Sequence, residues 1–151
     1  MGKVLGFTGT RSGLTESQKA TLRTWLEKYS PWEVDEFVHG GCVGADADAH
    51  RIAKSLGMWT HVYPCDIVDM QAELPDADET AKPMAPLLRD RLIAGVCDIL
   101  FVCPKELVEI IRSGTWATMR YARKAGHDVV IIWSHGRPEK IAPNERRPWM
   151  L

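Results

Sequence analysis

The chain has 151 residues, with 19 Lys and Arg against 20 Asp and Glu and a formal net charge of −1. That length predicts one domain whose core is large enough to need no disulfide or metal staple. The charge balance argues against holding nucleic acid by bulk electrostatics, while leaving room for a local basic pocket. Four cysteines (Cys42, Cys65, Cys97 and Cys103) form no C-x-x-C pair and no cluster at zinc-finger spacing. They are expected as reduced thiols. No signal peptide is expected, and no apolar run approaches the ~18 residues of a membrane helix. These features predict a cytoplasmic protein with no membrane partner, no cofactor and no metal.

Short apolar runs alternate with amphipathic ones along the chain. Lys3 to Gly9 predicts a buried strand closing on a glycine turn. Thr15-Glu16-Ser17-Gln18 has the capping-box pattern, and Leu22, Trp25, Leu26 and Tyr29 follow at helical spacing until Ser30-Pro31. Val34 to His39 predicts a second strand, Gly44 to Leu56 a helix stopped by Gly57, and Trp59 to Tyr63 a third strand. Residues 65–86 are acidic and proline-rich, and predict a long surface loop bordering a site. Leu87 to Val96 predicts a helix and Asp98 to Val102 a fourth strand. A helical turn is expected within 105–112, then a helix from Ser113-Gly114-Thr115 to Lys124 and a fifth strand over Val129 to Trp133. The alternation implies an α/β class: a small Rossmann-like three-layer domain over 1–133, with a mostly parallel sheet of about five strands. Residues 134–151 read as an extended C-terminal tail.

In such sheets ligands bind at the carboxyl ends of the strands, at the switch point in strand order. The polar glycine turns fall there. The first is Gly9-Thr10-Arg11-Ser12-Gly13, the second Gly40-Gly41-Cys42-Val43-Gly44-Ala45-Asp46, the third Ser113-Gly114-Thr115. Their amides, with Arg11, Arg89 and Arg91, suit a phosphate-bearing ligand. Asp46 and Asp90 are candidates for a ribose contact or for catalysis. Neither G-x-x-x-x-G-K-[ST] nor an intact G-x-G-x-x-G is present, which speaks against a P-loop enzyme and a standard dinucleotide dehydrogenase.

Other residues carry open alternatives. His50 and Asp46 stand four apart, as an acid/base pair, half a metal site, or an Asp-paired histidine fixing the helix start. His39 faces either site or core. Cys42, near a helix N-terminus, is a candidate for a lowered thiol pKa. Trp116 either stacks on a nucleobase or packs in the core. Trp25, Trp59 and Trp133 are expected in the core.

The segment from Gly40 to His50 resembles the GGxxGxDxxAH segment of the DprA/Smf DNA-processing family. Arg89-Asp90-Arg91-Leu92-Ile93-Ala94-Gly95 resembles its RNRxIAG segment, Ser113 to Thr118 its SGSxxT segment, and Gly9-Thr10-Arg11 its opening GSR. The superfamily also holds the LOG (lysine-decarboxylase-like) proteins and the SLOG nucleotide-sensing domains. The resemblance implies a stand-alone domain binding a nucleotide or nucleotide-derived ligand, with Arg11, Gly40, Gly41, Arg89, Arg91, Ser113, Gly114 and Thr115 in the site. Two alternatives it also implies are single-stranded DNA binding and cleavage of nucleoside 5′-monophosphates. It further implies self-association. Asp90 departs from the family's Asn, either as a partner orienting an arginine or as a working carboxylate. Ala117 and Thr118 stand where the LOG enzymes carry a catalytic glutamate, which leaves the catalytic residue unassigned.

Overall fold

The computed structural model describes residues 2–151. In chain order its elements are β1 (Lys3–Gly9), α1 (Glu16–Leu26), β2 (Val34–His39), α2 (Ala45–Ser55) and β3 (Thr60–Val62). They continue with β4 (Glu79–Thr80), α3 (Pro86–Val96), β5 (Ile99–Cys103), α4 (Gly114–Lys124), β6 (Asp128–Ile132) and β7 (Pro138–Ile141). The expected capping box is formed: Thr15 Oγ1 accepts from the Gln18 amide, and Gln18 Oε1 accepts from the Thr15 amide. Gly57 and Gly126 take positive φ just past α2 and α4, where a side chain would be strained.

The strands form one seven-stranded sheet in the order β4-β3-β2-β1-β5-β6-β7, parallel except for β7. Leu5, Phe7, Phe37 and Phe101 face α1 and α2 and make one core cluster. Val38, Leu100, Val102 and Val129 face the other way, against Ile93 of α3 and Trp116 and Met119 of α4. Helices on both faces explain why β5 and β6 read as continuous apolar runs. This is the α/β architecture expected, with two additional strands at the edges.

Both additions lie where the sequence predicts irregular chain. Residues 134–151 are not an extended tail: β7 pairs antiparallel with β6, Ile141 is fully buried, and Trp149 packs at 5.0 Å from Trp133. Prolines and charges hide this segment from periodicity because an edge strand buries only one residue in two. The acidic segment 65–86 holds the two-residue β4 and is tied down along its length. Val43 N–H donates to Met70 O, Ala72 N–H to Gly41 O, and Asp66 N–H to Met84 O. Trp59, expected in the core, is half exposed beside β3. No helix forms in 105–112. No helix among the described residues is long and apolar enough to cross a membrane.

Candidate functional site

β1 has β2 on one side and β5 on the other, so the strand order reverses there. A cleft of about 600 Å³ opens at the carboxyl ends of these strands. Twelve of the sixteen residues predicted for the site line it: Gly9, Thr10, Arg11, Ser12, Gly40, Cys42, Asp46, Arg89, Asp90, Ser113, Gly114 and Thr115. The remaining four lie elsewhere. Arg91 points off the opposite side of α3 and stacks over Tyr121 at 5.1 Å. Trp116 is fully buried, packing on Trp133 and Trp149 with its indole N–H on Glu106, so it is a core residue and no stacking platform. Gly41 and Gly44 shape the turn from behind. Lys105, Glu106 and Arg112, which sequence reasoning missed, join the lining. They sit on an irregular loop whose approach to the cleft no periodicity encodes.

The three glycine turns differ in what their amides can offer. In the second turn four of the donors are consumed within the chain. Gly41 N–H donates to His39 Nδ1, Cys42 N–H to Asp46 Oδ2, Val43 N–H to Met70 O and Ala45 N–H to Thr10 O. At the third turn, Ser113 Oγ accepts from Trp116 N–H, while Gly114 and Thr115 N–H have no acceptor among the described residues. These two amides open the first turn of α4, where the helix dipole favours an anion. Arg11, Ser12, Lys105 and Arg112 are exposed around the same cleft.

Arg89 is held on the cleft floor. Its Nε donates to Asp90 Oδ1 at 2.8 Å, and Nη1 donates to Gly40 O at 2.9 Å and Tyr63 O at 3.4 Å. Only Nη2 keeps donor capacity, with the Cys42 sulfur at 3.7 Å. Asp90 thus orients Arg89, the first of its two readings. Gly40 leaves room for this arrangement: a Cβ there would lie 2.1 Å from Arg89 Nη1 and would push the guanidinium from its place.

Titration behaviour follows from burial. Desolvation raises Asp46 to about 6, against the pull of Arg89 and of the Cys42 amide. Desolvation raises Asp90 as well, with Arg89 opposing it. The Cys42 thiol is pushed up to about 11 by burial and by Asp46, so it is protonated at neutral pH and the lowered-pKa expectation is corrected. His50 pairs with no residue of its own helix. Gly41 N–H donates to His39 Nδ1, which places the His39 proton on Nε2 facing His50 Nδ1 at 2.9 Å. His50 Nε2 then faces Asp76 Oδ1 at 2.8 Å. The carboxylate that holds this pair comes from the acidic segment, not from Asp46. Burial lowers His39 to about 3, aided by the charge of Arg89, so it is a neutral core residue.

Asp46 gives a pH signature. Its folded pKa of about 6 lies above the ordinary 3.8, so ionisation penalises the folded state. The stability it contributes is complete below pH 3.8 and is lost as pH rises through about 6. Asp46→Asn is therefore expected to gain up to about 3 kcal/mol on the wild type at pH 7.5 and nothing at pH 4. Urea unfolding of both proteins at the two pH values measures this, and an equal difference at both would contradict the assignment.

No protein-family model matches the chain, and no curated protein matches it significantly. Solved structures do. The chain is similar to a molybdenum cofactor binding protein from the phototrophic bacterium Rippkaea orientalis, with a TM-score of 0.65 and 17% identity over 88% of this chain and 77% of that one. It is similar to the structural-genomics target TM1055, with a TM-score of 0.61 and 16% identity over 84% of this chain and 72% of that one. DNA processing protein A (DprA) from Streptococcus pneumoniae gives a TM-score of 0.63 and 21% identity over 86% of this chain. The match spans 50% of DprA's own length. The fold is therefore the Rossmann-like α/β fold shared with these three structures.

Proposed function

We propose that the cleft binds a nucleotide or nucleotide-derived ligand through its phosphate. The observation that carries this reading is the pair of unbonded amides at Gly114 and Thr115, opening into a cleft at the switch point with Arg11, Lys105 and Arg112 on its lining. The anion would sit on the first turn of α4. This shifts the phosphate contacts away from the Gly40–Gly44 turn, where the Gly41, Cys42 and Val43 donors serve the fold. The cleft volume of about 600 Å³ suits a compact ligand. Asp46, buried on the floor with its raised pKa, is available to a sugar hydroxyl.

Two observations weigh against the alternatives. Ala117 and Thr118 bring no carboxylate to α4, and Thr118 Oγ1 is occupied by Gly114 O, so cleavage in the LOG manner lacks its glutamate. A net charge of −1 with four cationic and three acidic residues on the cleft lining disfavours a long nucleic-acid track. A thermal-shift screen of nucleoside mono-, di- and triphosphates, with dinucleotides and a single-stranded oligonucleotide, tests the reading. At least one nucleotide is expected to stabilise the protein by roughly 2.7 kcal/mol at a concentration of 100 Kd. A shift from the oligonucleotide alone, or from none of them, would count against it.

A further inference from the structure

Three strands bring a second group of ligating side chains together, away from the cleft. Glu36 of β2 and His61 of β3 lie on the sheet face that carries Val38 and Tyr63, because alternate strand residues share a face. The register sets His61 directly opposite Glu79 of β4. His61 Nδ1 stands 3.1 Å from Glu36 Oε1 and 3.1 Å from Glu79 Oε2, and the three ligand atoms all lie within 4.8 Å of one another. The Tyr63 hydroxyl is 3.3 Å from the same nitrogen.

One imidazole nitrogen carries either one hydrogen or one lone pair. It therefore offers at most one proton to the two carboxylates aimed at it, which can only share it. Two negative groups converging on one point from separate strands ask for a cation between them. The donor set, one imidazole nitrogen and two carboxylate oxygens, suits a borderline divalent ion; calcium and magnesium prefer oxygen alone. Ligands on a tetrahedral zinc stand roughly 3.3 Å apart, given metal–ligand distances near 2.0 Å. The 3.1 Å separations seen here need only a small opening to admit one.

We propose that Glu36, His61 and Glu79 form a binding site for a zinc-type divalent transition-metal ion, with water completing its coordination. Such an ion joins β2, β3 and the two-residue β4, and so fastens the acidic segment that crosses the second glycine turn. Periodicity gives no warning of the site, since its ligands are 25 and 18 residues apart in sequence and only strand register unites them.

The test is a titration of the full chain with Co²⁺ at pH 7.5, read by visible d–d absorption and by melting temperature. One equivalent is expected to bind, with bands of a nitrogen/oxygen site, no thiolate charge transfer and a raised melting temperature. Glu79→Gln should weaken binding at least tenfold; Glu79 is more than half exposed in its side chain, so the fold should tolerate the change. His61→Gln should do the same. The proposal is overturned by the absence of binding, by thiolate charge transfer that locates the metal on the cysteines, or by Glu79→Gln binding as tightly as the wild type. The last result would leave His61 as a hydrogen-bonded bridge between the two carboxylates.

Discussion

Replacing Arg89 by methionine is expected to cost about 3–5 kcal/mol of stability at pH 7.5, the usual effect of removing one partner from a buried ion pair. Arg89 and Asp90 are each only 6% exposed and are joined at 2.8 Å, with Asp46 also feeling the guanidinium. Methionine keeps much of the stem volume, so the loss reports charge and hydrogen bonding more than cavity formation. It also leaves the Gly40 and Tyr63 carbonyls without their donor. The pH dependence has a definite sign. Both carboxylates are already raised by burial, and without Arg89 they take up protons more readily. The deficit should therefore shrink as pH falls from 7.5 to 5, as the uncompensated charge is neutralised. Urea unfolding at both pH values measures it. A loss below about 1 kcal/mol at pH 7.5 would mean that Arg89 is not what allows two carboxylates in the cleft floor.

Gly44→Ala is the second large effect. Gly44 has φ 93 and ψ −126, and a Cβ there would lie 2.2 Å from the Arg11 carbonyl oxygen. The obstacle is backbone, which cannot rotate away, and the backbone conformation is itself one that side chains avoid. The combined expectation is a loss above about 3 kcal/mol, or a melting temperature lower by roughly 6–12 °C. Gly126→Ala separates the two causes. Gly126 has φ 87 but nothing within 4 Å of a Cβ, so only the backbone penalty of about 1–2 kcal/mol applies. Similar losses at the two positions would show that the contact between the second turn and Arg11 is looser than described.

This contact also explains which parts of the site were legible in the sequence. Arg89, Asp46 and the glycine turns stood out because strand-to-helix junctions are marked by local residue types, and these meet at one end of any parallel sheet. What the sequence does not encode is how each amide is spent. Gly40–Gly44 and Ser113–Thr115 look equally suited to phosphate, yet only register and the returning acidic segment decide that the former bonds His39, Asp46, Met70 and Thr10. Arg91 is misplaced for a simple reason. It stands two positions from Arg89, about 200° around α3, so both cannot face the cleft. Trp116 follows the third turn directly but lies on the inner side of α4, where Trp133 and Trp149 await it. The edge strands β4 and β7 are short and largely polar, and pair through backbone groups that leave little trace in hydrophobic pattern.

The first turn of α4 is the proposed seat of the ligand's phosphate, and Gly114→Pro tests it directly. Proline is accepted at the first position of a helix, where it deletes one amide donor and leaves the helix intact. Ser113 already has the extended φ −139 and ψ 127 that a following proline requires, and a Cβ on Gly114 would meet nothing closer than 3.6 Å. The decisive measurement is calorimetric titration of the wild type and this variant with the nucleotide that gives the largest thermal shift. Wild-type binding is expected with a Kd below about 100 μM, weakened at least tenfold in a variant whose own melting temperature is unchanged or higher. Equal affinity in the two proteins would place the phosphate elsewhere and contradict it.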